Sequence, residues 1–441
     1  MSVHIFLKLK WILKKMIKAL INVRIYDYQN YIDNGFIIFD QRILKVGSME
    51  EYVQGDFEAI NGHGFLILPN LVVCHTHVYN VLARGLSLPN LRRDEIDYVL
   101  NKMISRLNKD DAYYCGICAG SEFLRNGIST IIDHHSSGAN IIGSLEKLEE
   151  SMVEHVGIRA LLSFASSDRF KIDRCIQENV NFIENNKTGS VRGLFGIESS
   201  SMISDESMKK IAVAVNGNPI IINVAETRED VEDCKNKYGK TIIERLDEHH
   251  LLNPGSLLVN CNFVSDEELE ILKDKDIYIV LNPSSDMNFN SYIVDAMRFK
   301  RRGLKVLIGN SGLSNTIVNE YQTLYFASNC VERCLTPQDL IDIINNSYEY
   351  ASRMLGVKLG RIAPGYEADF SSLLYTPFSK IDSNNAFEHI YFGLYSRYSP
   401  NSVFVGGQCL IKNGKPLESK MIRELEKAKD ASMSLWKRLV E

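Results

Sequence analysis

Phe65-Leu66-Ile67-Leu68-Pro69-Asn70-Leu71-Val72-Val73-Cys74-His75-Thr76-His77 is a nearly continuous apolar run that stops on two histidines. Side chains alternate along a strand, so His75 and His77 point to one face. Two imidazoles on one face are the usual opening half of a divalent metal site. The other reading is a pair of hydrogen-bonded histidines closing a strand.

Seven further runs of the same kind follow. They are Gly127–His135, Ile158–Phe164, Val191–Ser199, Pro219–Glu226, Ser256–Val264, Ile277–Ser285 and Lys305–Gly312. Each is short and almost wholly apolar, as strands buried on both faces are. Amphipathic stretches separate them, so the alternation predicts βα units around a parallel sheet. Nearly every run ends in polar residues, among them Asp133-His134-His135, Asn223-Val224-Ala225-Glu226 and Asn310-Ser311-Gly312. Polar groups gathered at the C-terminal ends of eight parallel strands describe the mouth of a (β/α)8 barrel over residues 65–364. An open doubly wound sheet is disfavoured, because no Gly-x-Gly-x-x-Gly turn follows the first strand.

The flanks read as short alternating strands: Ala19–Arg24, Phe36–Phe39 and Ile43–Val46 before the barrel, Ala368–Leu374 and Ser402–Ile411 after it. Neither flank makes a stable sheet unaided, so residues 16–64 and 365–415 are expected to pair into one small β-sandwich domain. Residues 416–441 have the charge pattern of a closing helix, and residues 1–15 read as an apolar, basic appendage too short and too lysine-rich to span a membrane. The chain has 441 residues, 45% hydrophobic and 24% charged, with a net charge of −5. That composition predicts a soluble protein with no nucleic-acid footprint. The nine cysteines form no regular framework, and Cys115/Cys118 and Cys330/Cys334 sit at helical spacing, so packed free thiols in a reducing cytoplasm are expected. A small-molecule ligand is the expected partner. A homodimer, or a heteromer with a catalytic relative, is the assembly considered.

Leu68 to His77 resembles the first barrel strand of the amidohydrolase superfamily. Gly360-Arg361-Ile362-Ala363-Pro364-Gly365-Tyr366-Glu367-Ala368-Asp369-Phe370 resembles the segment by which that family's chain returns to its β domain. The branch of guanine deaminase, triazine chlorohydrolase and S-adenosylhomocysteine-deaminase-like proteins matches best. SsnA-type aminohydrolases look closest, through Ile132-Asp133-His134-His135-Ser136, Tyr238-Gly239-Lys240 and Ser284-Ser285-Asp286-Met287-Asn288. The resemblance implies one divalent metal, zinc or iron, held by His-x-His on strand 1, a histidine on strand 5 and an aspartate on strand 8. It also implies a proton-shuttling glutamate three residues after the strand-5 histidine, and a polarising histidine on strand 6.

Carried over by position, the chain keeps His75, His77 and Glu226. The strand-5 ligand position holds Asn223, the strand-6 position Asn260, the strand-8 position Ser311, and a site-facing strand-4 position Glu198. None of the ten histidines lies on strands 5 to 8 to compensate. Amides and hydroxyls are poor substitutes for imidazole or carboxylate toward zinc or iron. The expectation is therefore a weakly held metal or none, in a pseudoenzyme or a remodelled relative of C–N bond hydrolases acting on small N-heterocycles. The alternative is an active aminohydrolase whose site is rebuilt through Glu198 or His134. Arg84, His135 and Asp286 are candidates for the substrate pocket, with Asp286 and Asn288 otherwise read as loop caps. Glu226 without a metal would be a mouth-lining carboxylate facing Arg84 or Arg228.

Overall fold

The computed structural model describes residues 17–85, 93–290, 292–330 and 334–440, so the appendage read over residues 1–15 lies outside the described residues. Before the barrel come β1 (Lys18–Tyr26), β2 (Tyr31–Phe39), β3 (Ile43–Ser48), β4 (Glu58–Asn61) and β5 (Phe65–Pro69). The barrel strands are β6 (Leu71–Thr76), β7 (Ile128–His135), β8 (Arg159–Phe164), β9 (Val191–Gly193), β10 (Phe195–Ser199), β11 (Ile220–Val224), β12 (Leu257–Asn260), β13 (Tyr278–Leu281) and β14 (Lys305–Ile308). After it come β15 (Phe370–Leu374), β16 (Ser402–Val405), β17 (Gln408–Lys412) and β18 (Lys415–Pro416).

Two parallel arcs, β6-β7-β8-β9 and β10-β11-β12-β13-β14, make the barrel. β9 and β10 are one barrel strand interrupted at Leu194: the first half pairs with β8, the second with β11. The Ser166 N–H donates to the Gly196 carbonyl at 3.1 Å and the Glu198 N–H to the Ser166 carbonyl at 3.0 Å, joining the arcs on one side. On the other side the Asn310 N–H donates to the His75 carbonyl at 2.8 Å. The ring is closed, and the strand interiors are buried throughout.

The flanks meet in one nine-stranded sheet, ordered β18-β17-β16-β15-β5-β1-β2-β3 with β4 alongside β1. Three strand spacings of about 4.8 Å separate β2 from β15 along this sheet, on the order of 14 Å if it lay flat. Yet the Phe39 ring on β2 lies 5.1 Å from Phe370 on β15. The sheet must curl until its ends face each other, enclosing Leu20, Val23, Ile37, Phe39, Ile67, Phe370 and Phe404 in a core of their own.

Two sequence boundaries need correction. Phe65–Pro69 belongs to the flanking sheet, paired with β1 and β15, and the barrel begins at Leu71. The single apolar run hides a crossover at Asn70, whose amide donates to the Phe404 carbonyl at 2.6 Å and accepts from the Ser371 hydroxyl at 2.6 Å. The flank read as strands over 365–415 also contains a helix, Ala386–Gly393, whose Phe387, Ile390 and Tyr391 are buried. The closing helix runs over Ser419–Val440, and its Trp436 indole N–H donates to the Leu82 carbonyl at 2.8 Å.

The Gly360–Phe370 motif has a physical explanation. Gly360 has φ +86°, and a Cβ there would meet Tyr348 Cγ at 2.1 Å, so no side chain fits. Asp369 is the acceptor for Arg159 on β8, with Nε at 2.8 Å and Nη2 at 3.2 Å, while Glu367 accepts from the same guanidinium at 2.9 Å. A buried ion-pair cluster thus fastens the returning chain to the barrel.

Candidate active site at the barrel mouth

Strand alternation places His75 and His77 together as expected, with ring centroids 4.7 Å apart. His77 Nδ1 lies 2.8 Å from the His134 carbonyl, and His75 Nδ1 lies 3.2 Å from Asn282 Oδ1. A carbonyl oxygen can only accept, so both Nδ1 atoms carry the proton and both Nε2 atoms present a lone pair. This is the tautomer a metal-ligating histidine takes when a neighbouring acceptor orients it. The His134 ring sits 6.0 Å from each of the other two. Its two nitrogens, and His75 Nε2, are buried without a hydrogen-bond partner. Burial lowers the pKa of all three rings, with repulsion from neighbouring imidazoles adding at His75 and His134, so all three are neutral near pH 7.

The donor set fits a divalent ion in kind: neutral imidazoles with free lone pairs and orphaned buried nitrogens. It is incomplete in arrangement. Among the described residues, no three His, Cys, Asp or Glu side chains stand close enough together to hold an ion.

A cavity of about 510 Å³ opens above the histidines, lined among others by His77, Tyr79, His134, Glu198, Asn223, Glu226 and Ser311. Leu100, Ile104, Phe289 and Leu313 supply its apolar walls. Glu226 accepts from the Asn290 amide at 3.1 Å. The backbone at the ends of these strands is unusual: Ala225, Asn260, Cys261 and Ser311 all have φ between +46° and +72°. Non-glycine residues held in that region cluster where a surrounding structure requires a particular side-chain direction.

The remaining candidates fall on either side of the cavity wall. Asn223 donates to the Glu198 carbonyl at 2.9 Å. Glu198 lines the cavity in an ion pair with Arg169, which also donates to Asn101; burial raises the Glu198 carboxyl above its ordinary range despite the guanidinium. Arg84 stands at the rim, paired with Glu122 at 2.6 Å. Arg228 lies over the Phe263 ring at 4.8 Å. His135 does not line the cavity: it packs between Tyr79 and Phe164, 6.0 Å from each ring. Asp286 and Asn260 lie beneath the floor, fully or nearly buried. Asp286 is not a loop cap, because its Oδ1 receives amides from Asn260, Asn262 and Asn290. Burial pushes its carboxyl up to about 7, with Glu226 adding and the amides opposing.

Helix Pro283–Phe289, which carries Asp286, starts abruptly because proline at its first position preorganises φ. The buried Glu320 carboxylate accepts the Ser284 N–H at 2.9 Å and fastens this helix. Burial raises Glu320 from 4.5 to about 7. Its contribution to stability is therefore complete below about pH 4.5 and lost as pH rises through 7. Glu320→Gln keeps the acceptor and removes the charge. Its stability relative to wild type, measured by urea unfolding at pH 4.5 and pH 8, is expected to improve with pH by up to about 3 kcal/mol.

Sequence reading missed Arg169, Asn101, Tyr79, Asn262, Asn282 and Asn290. Asn290 carried a signal, being four residues from Asp286 at helical spacing. Arg169 carried none.

The closed barrel, the strand-end imidazole pair and the glutamate above it define a hydrolase-type (β/α)8 mouth. A family model for the amidohydrolase family matches residues 66–410, and the chain belongs to that family. It is similar to 5'-deoxyadenosine deaminase of Methanothermobacter thermautotrophicus, 27% identical over 90% of this chain and 94% of the relative. Among solved structures it is similar to an adenosine deaminase from Xanthomonas campestris with bound zinc: TM-score 0.81, 14% identity, 95% of this chain and 99% of that one. It is also similar to triazine hydrolase from Arthrobacter aurescens: TM-score 0.79, 18% identity, 96% and 99% coverage. Among the described residues, no helix is long and apolar enough to cross a membrane.

Proposed function

We propose that this protein is a deaminase-type amidohydrolase that removes an exocyclic amine from a purine-like heterocycle, using a metal seat rebuilt on the strand 1–strand 2 side of the barrel. The observation that carries the reading is the grouping of His75, His77 and His134, with oriented or orphaned ring nitrogens, below a cavity that Glu226 lines. On this reading His75 and His77 would hold the ion through Nε2, and His134, whose ring stands 6.0 Å from both, would have to shift inward to supply a third nitrogen. Glu198 is the weaker choice, because Arg169 already engages its charge. A divalent ion bound there supplies a water of lowered pKa.

The protein's own groups do the rest. Glu226 takes a proton from the attacking water and returns one to the leaving amine, as a carboxylate within reach of both does. The apolar walls exclude bulk water from a planar ring, and a volume of about 510 Å³ accommodates a nucleoside-sized ligand. The similarity to 5'-deoxyadenosine deaminase supports an adenosine-like substrate. Nine free thiols support a reducing, cytoplasmic setting.

A second reading, a ligand-binding barrel without turnover, is favoured by one observation: Asn223 and Asn260 stand where the resemblance implies histidines, and their amide N–H groups are tied to the Glu198 carbonyl and the Asp286 carboxylate. Ammonia release from adenosine, 5'-deoxyadenosine, guanine and an aminotriazine, in zinc-supplemented buffer, separates the two. The proposal expects release from an adenosine derivative, abolished by a chelator. Binding of such a compound without release from any of them supports the second reading.

A further inference from the structure

Asp286 is the centre of a network that neither the metal position nor the cavity lining accounts for. Its Oδ1 collects three amide N–H groups, from Asn260 at 2.9 Å, Asn262 at 2.8 Å and Asn290 at 3.1 Å. Two of these amides have a second acceptor, and in both cases it is Glu226. Asn262 Nδ2 donates to the Glu226 backbone carbonyl at 3.3 Å, and Asn290 Nδ2 donates to the Glu226 carboxylate Oε1 at 3.1 Å. A carboxamide nitrogen carries two protons, so each amide gives one to Asp286 and one to Glu226. Neither can turn over without aiming its oxygen at a carboxylate. The far end of the network reaches the histidines: Asn282 Nδ2 donates to Asn260 Oδ1 at 3.4 Å, and Asn282 Oδ1 faces His75 Nδ1 at 3.2 Å.

We infer that Asp286 is the positioning residue of this site, fixing the backbone and the carboxylate of Glu226 from below through Asn262 and Asn290. The inference rests on the reading of Glu226 as the group that moves protons. Asp286 itself is fully buried and touches no ligand in the cavity, so it acts only through these amides. The titratable groups facing it are Glu226, Glu320, Cys261 and Tyr292. A network of this kind suits the residues at the strand ends. Asn260, at the position where the resemblance implies a histidine, is one of its members, and its φ of +72° turns its amide toward Asp286.

The test compares Asp286→Asn and Asp286→Ala in the full chain with carbon-13 labelled glutamate and aspartate carboxyls. NMR follows Glu226, assigned by its loss in Glu226→Gln. Glu226 is already charged when Asp286 titrates, so Glu226→Gln is expected to lower the Asp286 midpoint by about 0.5 unit or more. Asp286→Ala, which removes the acceptor of both amides, is expected to move the Glu226 carboxyl signal, and Asp286→Asn to move it less. Asp286→Ala is expected to lower kcat at least about tenfold with KM within about twofold, and Asp286→Asn to recover much of this, because its carbonyl still accepts. An unshifted Glu226 signal in Asp286→Ala, with an unshifted Asp286 midpoint in Glu226→Gln, overturns the inference, even if thermal stability falls. If Asp286→Ala does not fold, the Asp286 midpoint in Glu226→Gln carries the NMR test. If wild type releases no ammonia, the proposed function fails separately, while the NMR arm still decides whether Asp286 positions Glu226.

Discussion

Glu226→Gln is expected to lower kcat for deamination of an adenosine-like substrate by about 10²–10⁴-fold, with KM changed by less than about threefold. The replacement keeps the shape of the side chain and its ability to accept from Asn290, so the pocket and the network beneath it persist. What it removes is a group able to carry a proton between water and leaving amine. Steady-state ammonia release at saturating and limiting substrate separates the two parameters. An equal loss spread over KM would mean that Glu226 binds substrate and does not transfer protons.

Arg159→Met is expected to reduce the free energy of unfolding by about 3–5 kcal/mol, read from urea denaturation. Arg159 is 5% exposed and Asp369 7%, so removing the guanidinium leaves a carboxylate buried with few remaining donors. One of those is the Gly406 N–H, at 2.7 Å from Asp369 Oδ1. The guanidinium also donates to the Gly189 carbonyl at 2.6 Å, which tightens the barrel strand's neighbouring loop. Replacing Asp369 with leucine in the same chain should return part of the loss, since a buried pair exchanged for apolar residues is often neutral. A loss below about 1 kcal/mol in the single variant would show that the flanking sheet is held to the barrel by apolar contact alone.

Much of the fold was legible because barrel strands are buried on both faces and announce themselves as apolar runs with polar ends. The His75–Thr76–His77 geometry follows from alternation alone. What was not legible has specific causes. Hydropathy does not mark the crossover at Asn70, because both Phe65–Pro69 and Leu71–Thr76 are buried and apolar. It does not distinguish a buried helix such as Ala386–Gly393 from a buried strand over so short a span. In the site, the sequence marks Glu198 as a possible replacement ligand but does not show its partner, because Arg169 comes from the loop after a different strand. Asp286 was weighed as a cap because its three amide partners come from strand 6, the residues just past it and the far end of its own helix. Apart from Asn290, four residues on at helical spacing, such convergence of distant segments is set by three-dimensional packing and leaves no local pattern.

Zinc titration of metal-free protein, followed by dialysis and elemental analysis, tests the rebuilt site most directly. The account predicts one equivalent bound, abolished in His77→Ala and weakened at least about tenfold in His134→Ala, whereas Glu198→Gln leaves it in place. No zinc taken up by the folded wild type, or uptake indifferent to His77 and His134, contradicts it.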